Sequence, residues 1–217
     1  MKELSENELV DIFNDNMKRI GTASRRQAHK NGEWHLNFHC WVLTRSGHGA
    51  VLFQIRSKDK PTFPSMLDST IGGHYKAREK SPDLVREVDE EIGIKVTKQD
   101  LVPLGRRIDI SASGGVLKRE VANVFFLNCS FAPSEFQIDP AEIAGLVEIQ
   151  ISKGLKLFSN EIRLVEATKW TMKSGRKWES KTLRVGQKDF VPKVDSYYLT
   201  LFIMAKRFLA GKKYISI

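Results

Sequence analysis

The sequence predicts an α/β protein built as one domain over residues 1–217, and three observations support this prediction. The apolar pattern changes repeatedly between short runs typical of strands and longer segments with the spacing of helices. No internal repeat, low-complexity tract or linker rich in Pro, Gly or Ser divides the chain. With 41% hydrophobic and 28% charged residues, the chain can bury a substantial core, as ordinary globular proteins do.

The N-terminal part, residues 1–30, is expected to form a β-hairpin and a short helix. Residues 9–24, LVDIFNDNMKRIGTAS, carry Asn-Asp-Asn between two apolar stretches. These turn residues tolerate unusual backbone angles, so the two stretches are predicted to pair. The helix is expected over SRRQAHKNG, which follows directly.

The central part, residues 31–160, is predicted to be a core of strands. WHLNFHCWVL and AVLFQIR are rich in Val, Leu, Phe and Trp and flank a turn that contains Gly, so they are expected to pair. STIGGHY is predicted as a further strand, broken at its glycines. The remaining predicted strands of this part are LVPLGRRIDIS, EVANVFFLNCSF and GLVEIQI.

The C-terminal part, residues 161–217, is expected to add strands and a final helix packed on the sheet. The segment TKWTMKSGRKWESK alternates basic residues with Trp170 and Trp178, a composition that could stack bases and contact phosphates. An exposed hairpin with two half-buried tryptophans is the interpretation we favour. The residues at helical spacing near the end, followed by Gly211 as a stop signal, are Tyr198, Leu201, Phe202, Ala205 and Leu209.

Charge and cysteine content indicate what kind of partner the protein binds and where in the cell it is located. The chain carries 35 Lys and Arg against 26 Asp and Glu, and this excess favours a polyanionic partner such as a phosphorylated metabolite. The basic residues are scattered, so most are expected to be solvated and nucleic acid is not the expected partner. Cys40 and Cys129 lie in apolar stretches and are predicted to be buried thiols. The absence of a signal-peptide pattern or a long apolar run predicts a cytoplasmic location without membrane contact.

An acidic helix is the most informative segment. Ser81, Pro82 and Asp83 are typical of a helix start, and Gly93 is typical of a helix end. Between them, Leu84, Val85, Val88 and Ile92 are expected to bury against the sheet. The neighbouring arc of roughly 100° carries three glutamates, which are Glu87, Glu90 and Glu91.

The glutamate cluster predicts a divalent cation site. Carboxylates three and four residues apart repel one another on a helix, and a cation would remove that repulsion. The preceding Gly72-Gly73 pair can bring a backbone carbonyl close to the carboxylates. Oxygen ligands at this density suit Mg²⁺ or Mn²⁺.

The segment resembles the Nudix box, whose consensus is G, five residues, E, seven residues and R-E-U-x-E-E-x-G-U, with U aliphatic. Gly73 is followed by five residues and Glu79, and residues 86–94, REVDEEIGI, match every fixed position of the second half. The sequence departs from the consensus because only six residues, 80–85, separate the two halves. The resemblance therefore transfers more securely to the helical glutamates than to Glu79.

Over residues 8–150 the sequence is similar to the Nudix branch that includes isopentenyl-diphosphate isomerases. LFQIRSKDKPTFPSMLDSTIGGH resembles that branch from an Arg-Ser-x-x-Lys stretch to a Gly-His pair. The isomerases carry an acid–base cysteine just before this pair, where this chain has Gly72. His35, His74 and Glu120 occupy positions at which that branch places metal-site residues.

The resemblance implies a Nudix-like α/β/α sandwich with a mixed central sheet, and hydrolysis of a diphosphate linkage in a nucleoside diphosphate derivative or a similar small molecule. It implies Mg²⁺ or Mn²⁺ bound by Glu87, Glu90 and Glu91 with the Gly73 carbonyl. Glu87 is our first choice as the base that activates water. Arg86 is expected to pair with Glu79 and so to fix the glutamates.

Residues outside the box complete the predicted site. Glu120 and Glu142 are alternative candidates for the base. Arg56 and Lys58, together with Lys60, are expected to meet substrate phosphates. Two other functions stay open, isomerisation of isopentenyl diphosphate and a non-catalytic module that binds RNA or a partner. The N-terminal hairpin could also pair across a subunit boundary in a homodimer.

Overall fold

The computed structural model describes residues 7–60, 62–79, 83–113, 116–128, 130–173 and 177–217. Its helices are α1 (Arg25–Asn31), α2 (Leu84–Ile92), α3 (Ile151–Phe158) and α4 (Tyr197–Leu209). Its strands are β1 (Leu9–Phe13), β2 (Arg19–Ser24), β3 (Trp34–Thr44), β4 (Ala50–Arg56), β5 (Leu67–Ser69), β6 (Ile71–His74), β7 (Leu101–Ser113), β8 (Val116–Asn128), β9 (Ile143–Gln150), β10 (Val165–Lys173) and β11 (Lys177–Val185).

The strands form one mixed sheet. Its main path runs in the order β11-β10-β9-β4-β3-β1-β2, while β5 joins β4, β6 joins β3, and β7 joins β8. The β8 strand runs parallel to β3 over ten residue pairs, from Trp34 with Arg119 to Leu43 with Asn128. The other strand pairs of the described chain are antiparallel. The predicted mixed central sheet is therefore confirmed.

Alternate residues of β3 and β4 point to opposite sides of this sheet, and helices cover both faces. Trp41 and Phe53 belong to one core cluster, which also contains Phe202 of α4. Phe38 belongs to the other cluster together with Val88 of α2. The predicted α/β/α sandwich with a C-terminal helix is confirmed.

The N-terminal hairpin and short helix also agree with the prediction. Strands β1 and β2 are antiparallel, and Asn14 Oδ1 accepts hydrogen bonds from the backbone of Asn16 and Lys18 in the turn. Ser24 caps α1 by accepting from Gln27 N at 3.2 Å. The helix is thereby fixed directly after β2, which sets its position over the site.

The strand predicted at STIGGHY is broken at a different residue. Gly72 and Gly73 lie inside β6, and the interruption falls at Thr70. The Thr70 hydroxyl accepts from Val42 N at 3.0 Å and donates to Leu52 O, so it bridges β3 and β4. The chain therefore leaves β4 at Thr70 and joins β3, and the two glycines continue as regular strand.

The acidic helix begins and ends close to the predicted residues. Ser81 and Pro82 lie outside the described residues, and Asp83 is the N-cap, with its side chain accepting from Arg86 N at 3.2 Å. The helix ends at Gly93, whose φ is 66°. Its buried face contains the predicted apolar residues except Val85, which is half-buried.

The C-terminal predictions agree with the structure. Strands β10 and β11 form an antiparallel hairpin, in which Trp170 and Trp178 are half-buried and Trp178 Nε1 donates to Phe136 O at 2.9 Å. The α4 helix is followed by Gly211, whose φ is 70°.

Cys40 is buried as predicted, and burial raises the pKa of its thiol. Cys129 lies outside the described residues. Within the part of the chain that the structure describes, no helix combines the length and apolarity needed to cross a bilayer.

Candidate active site

A cleft of about 500 Å³ lies between α1, β6 and α2. Glycine is required at Gly73 in its wall, because a Cβ there would lie 2.9 Å from the buried Phe38 ring. The same Cβ position is 3.7 Å from Glu87 Oε2, so the backbone of β6 runs beside the helical carboxylates. The sequence-predicted residues that line this cleft are Arg56, Lys60, Gly73, His74, Arg86, Glu87, Glu90, Glu91 and Glu142.

The three glutamates of α2 are graded from the protein interior to solvent. Glu91 is 9% exposed, whereas the side chains of Glu87 and Glu90 are 19% and 56% exposed. The Glu91 carboxylate accepts a hydrogen bond from the backbone N–H of Gly72. Helical spacing thus places one carboxylate at the base of the cleft and two above it.

Glu142 reaches this site from a loop held against the end of α2. Asp139 N donates to Glu91 O at 3.1 Å, and Glu142 N donates to Asp139 O at 3.0 Å. Burial raises the pKa of Glu91 well above its usual range, and the charges of Glu142 and Glu87 raise it further. Burial also raises the pKa of Glu87, against the opposing charge of Arg86.

Arg86 partly offsets the repulsion on α2. Its Nη1 lies 2.6 Å from Glu90 Oε2, and its Nη2 contacts Glu87 Oε1. Arg86 and Glu79 both lie in the described part of the chain, and they do not form the predicted ion pair. Glu79 instead accepts from Lys76 N at 2.9 Å and from Asp83 N at 3.2 Å. The hydrogen bonds of the Glu79 carboxylate are thus made to backbone N–H groups and not to Arg86.

The donor set fits a hard divalent cation. Glu87, Glu91 and Glu142 supply carboxylate oxygens in one partly enclosed space, and the backbone of β6 runs beside Glu87. Burial and the neighbouring carboxylates raise the pKa values of Glu87 and Glu91, and a bound cation would favour their ionised forms. Oxygen-only coordination of this kind suits Mg²⁺ better than zinc.

Cationic side chains also line the cleft. Arg56 Nη1 lies 2.9 Å from Asp68 Oδ2, and Lys60 Nζ contacts Glu142 Oε2. Sequence reasoning missed the cations of α1, where Arg26 and Lys30 lie one turn apart and both line the cleft. The basic run RRQAHK was the available signal.

Lys58 does not line the cleft. It is exposed and lies at a second depression, beside Ser65 and Asp189. The chain turns after β4, where Ser57 N donates to Glu142 O at 3.1 Å. The predicted contact of Lys58 with substrate stays a prediction.

A compact cluster of three histidines around one carboxylate lies beside the glutamates. Glu120 Oε1 is 3.1 Å from His74 Nε2, 3.3 Å from His35 Nε2 and 3.6 Å from His29 Nε2. One ligand atom from each residue lies within 4.8 Å of all the others, a spacing that could hold a metal ion. Three nitrogens and one carboxylate oxygen suit a tetrahedral ion such as Zn²⁺. Sequence reasoning missed His29.

The electrostatics of this histidine cluster differ from those of α2. Burial lowers the pKa of His74 to about 3 and also lowers that of His29. Burial alone would raise the pKa of Glu120, but the three surrounding histidines and the charge of Lys118 lower it well below its usual range. The cluster therefore holds one ionised carboxylate among polar partners.

Comparison with known proteins identifies the family. No family model matches the chain. A Nudix hydrolase of Clostridium acetobutylicum, itself uncharacterised, is 33% identical over 195 residues, which are 89% of this chain and 94% of the relative. The chain belongs to the Nudix hydrolase superfamily.

Other similar proteins agree with this assignment. An isopentenyl-diphosphate Delta-isomerase of Mycolicibacterium vanbaalenii is 33% identical over 146 residues, which are 66% of this chain and 78% of the isomerase. A crystal structure of a Deinococcus radiodurans protein covers 70% of this chain and 90% of its own, with a TM-score of 0.53 at 18% identity. That likeness shows the fold alone. The predicted resemblance to the isomerase branch of the Nudix proteins is confirmed.

The α2 helix carries the stretch that resembles the Nudix box, residues 86–94 beginning within it. The six-residue spacing between Glu79 and Arg86 leaves this helix intact, since α2 begins at Leu84 directly after its N-cap Asp83. At the position of the isomerase cysteine, Gly72 carries no group that can transfer a proton. A Cβ there would lie 3.0 Å from Ser69 Oγ, so the surroundings leave little room for a larger residue.

Proposed function

We propose that the protein is a Mg²⁺-dependent hydrolase that cleaves a diphosphate linkage in a nucleoside diphosphate derivative or a related small molecule. The supporting observation is the convergence of Glu87, Glu91 and Glu142 in a cleft where burial raises the pKa of the first two. Carboxylates held together against their repulsion favour bound cations. The cationic side chains that line the same cleft favour an anionic substrate.

Glu87, Glu90 and Glu91, with the Gly73 carbonyl, would hold the Mg²⁺. The bound ion would neutralise phosphate oxygens and acidify water. Glu87 would accept a proton from the attacking water, since its carboxylate is half-buried and faces the β6 backbone. The water oxygen forms a bond to one phosphorus while that phosphorus loses its bond to the bridging oxygen, and two phosphorylated products leave.

The remaining residues of the cleft would orient the reactants. Arg56 and Lys60 would contact the phosphates, and Arg86 would keep Glu87 and Glu90 in place through the ion pairs described above. Glu142 lies close enough to Glu91 to be an alternative base. The catalytic role of Glu79 stays a prediction, as do the cytoplasmic location and the homodimer.

Isomerisation of isopentenyl diphosphate is a second candidate, favoured by the similarity to an isopentenyl-diphosphate Delta-isomerase. Gly72 argues against it. Incubation with isopentenyl diphosphate separates the two activities, because an isomerase releases rearranged diphosphate without phosphate. A non-catalytic RNA-binding module would instead show salt-sensitive binding that survives loss of the glutamates.

The test is a screen of nucleoside diphosphates, dinucleotides, sugar nucleotides and isoprenoid diphosphates with Mg²⁺, scored for released phosphate and mononucleotide. On the best substrate, Glu87→Gln should lower turnover by about 10²–10⁴-fold while circular dichroism shows an unchanged fold. Asp89→Asn is the matched control, because Asp89 lies on the same helix and pairs with Lys95 outside the cleft. Near-normal turnover of Glu87→Gln would remove Glu87 from the mechanism, and no hydrolysis by the wild type would overturn the proposal.

A further inference from the structure

A second cavity of about 100 Å³ adjoins the cleft at β6. We call it the inner chamber. It shares Arg56, Gly72, Gly73, His74 and Lys118 with the cleft. The side chains that distinguish it from the cleft include Asn37, His39, Asp68, Asp109, Ser111 and Lys193. Its volume can hold a group larger than a single water molecule.

The charges around the inner chamber balance. Arg56, Lys118 and Lys193 face three carboxylates, those of Asp68, Asp109 and Glu120. Lys193 Nζ is 2.7 Å from Asp109 Oδ2, and Arg56 Nη1 is 2.9 Å from Asp68 Oδ2. The chamber therefore has no excess positive charge to bind a further phosphate.

Asn37 lines this chamber and carries an unused hydrogen-bond acceptor. The residue is 5% exposed, and its Nδ2 donates to Glu120 Oε2 at 2.7 Å. Its Oδ1 is buried and accepts no hydrogen bond from any residue that the structure describes. A buried acceptor without a partner costs about 1–3 kcal/mol, and a hydroxyl donor in the chamber would remove that cost.

The other lining groups also favour a polar occupant. Burial lowers the pKa of His39 to about 4, and His39 Nδ1 lies 3.0 Å from the Tyr197 hydroxyl. Ser111 adds a hydroxyl on β7. A buried ionic network stabilises a fold less than well-packed apolar side chains do, whereas such networks are frequent at functional sites. An isoprenoid chain would find few apolar partners here.

We infer that the inner chamber receives an uncharged, hydroxyl-bearing group of the diphosphate substrate, with Asn37 and Ser111 as specificity-determining residues. This inference rests on the proposed function. It assigns the substrate to diphosphate esters of polyols or sugars, with the diphosphate at the glutamates and the hydroxyl-bearing end at the chamber. Isoprenoid diphosphates are thereby excluded.

The experiment compares n-butyl diphosphate with 3,4-dihydroxybutyl diphosphate, which differ only in two hydroxyls. Binding is measured by calorimetry with Mg²⁺ in Glu87→Gln, so that no turnover is required. This protein should bind the dihydroxy compound at least about tenfold more tightly, the gain from one well-made hydrogen bond. Adding Asn37→Leu or Ser111→Val should reduce the preference below about twofold and leave binding of the butyl compound unchanged.

Ser180→Val, on the exposed face of β11, is the matched control and should keep the full preference. Equal binding of the two compounds, no binding of either, or a preference that survives both chamber substitutions would overturn the inference. Hydrolysis by the wild-type protein is scored separately. A binding preference without any hydrolysis would contradict the proposed function while supporting the chamber.

Discussion

The glutamates of α2 and the histidine cluster around Glu120 are neighbouring polar sites with opposite electrostatics. In the first, burial and like charges raise the pKa of Glu91 and Glu87. In the second, histidine hydrogen bonds and a lysine charge outweigh burial and lower the pKa of Glu120. One site lacks positive charge, and the other already contains it.

This difference separates a group of carboxylates that needs a cation from a carboxylate that the protein's own groups already hold ionised. A cluster of carboxylates gains stability and function when a divalent cation enters. Glu120 is stabilised by the protein's own groups, so its loss should affect folding before it affects Mg²⁺. The predictions below use this contrast.

Of the substitutions that follow, Glu91→Gln should have the largest effect on activity. Removing a residue that only hydrogen-bonds to a metal ligand lowers metal affinity or activity by about 10–100-fold. Removing a buried ligand itself should therefore lower the rate of hydrolysis by about 100-fold or more. The exposed Glu90 provides the comparison, and Glu90→Gln should lower activity less. Steady-state kinetics against Mg²⁺ concentration measure both variants. A larger loss in Glu90→Gln would contradict the assigned geometry.

Glu120→Gln should act mainly on stability. The substitution removes a buried negative charge that faces three histidines and Lys118, which should lower the free energy of unfolding by about 3–5 kcal/mol. Urea denaturation at pH 7 measures this change. Glu179→Gln, on exposed β11, is the control and should change stability by less than about 0.5 kcal/mol. An equally small change in Glu120→Gln would show that the cluster is not an ionic network.

The pH dependence of the metal-free protein should separate the two sites further. Because the folded-state pKa of Glu91 is raised, its contribution to stability is present below its ordinary value of 4.5 and is lost as the pH rises through the folded pKa. Glu120 has a lowered pKa, so its contribution is present above its ordinary value and is lost only as the pH falls through the folded pKa.

Thermal denaturation with a chelator at pH 5 and pH 8 tests the predicted change in the contribution of Glu91 to stability. Relative to Glu91→Gln, the wild type should lose at least about 2 °C in Tm between the two pH values. Adding Mg²⁺ at pH 8 should raise the Tm of the wild type more than the Tm of the variant. A wild type that gains stability over the variant as the pH rises would reverse the assignment.

The sequence was sufficient to predict α2 and its carboxylates because the relevant spacing is local. Glu87, Glu90 and Glu91 share one helix, and a helical repeat fixes their relative directions. Gly93 ended the helix as expected, with a positive φ. The point at which the strand before β6 is interrupted could not be predicted locally. The interruption falls at Thr70, whose side chain forms hydrogen bonds with β3 and β4.

The histidine cluster and the inner chamber depend on long-range contacts. His29 reaches Glu120 because α1 folds back over the sheet, and Lys193 meets Asp109 from 84 residues farther along the chain. Lys58 was placed in the cleft by its closeness in sequence to Arg56. The turn after β4, in which Asp59 N donates to Ser57 Oγ at 3.3 Å, separates the two side chains.

The most direct measurement of the central claim is the anomalous diffraction of crystals soaked in Mn²⁺. We predict a strong peak in the cleft, within bonding distance of the carboxylates of Glu87 and Glu91, that is lost in Glu91→Gln crystals. Crystals that show no peak in the cleft, with these carboxylates turned to bulk solvent, would contradict the account. A peak confined to the histidine cluster would contradict it as well.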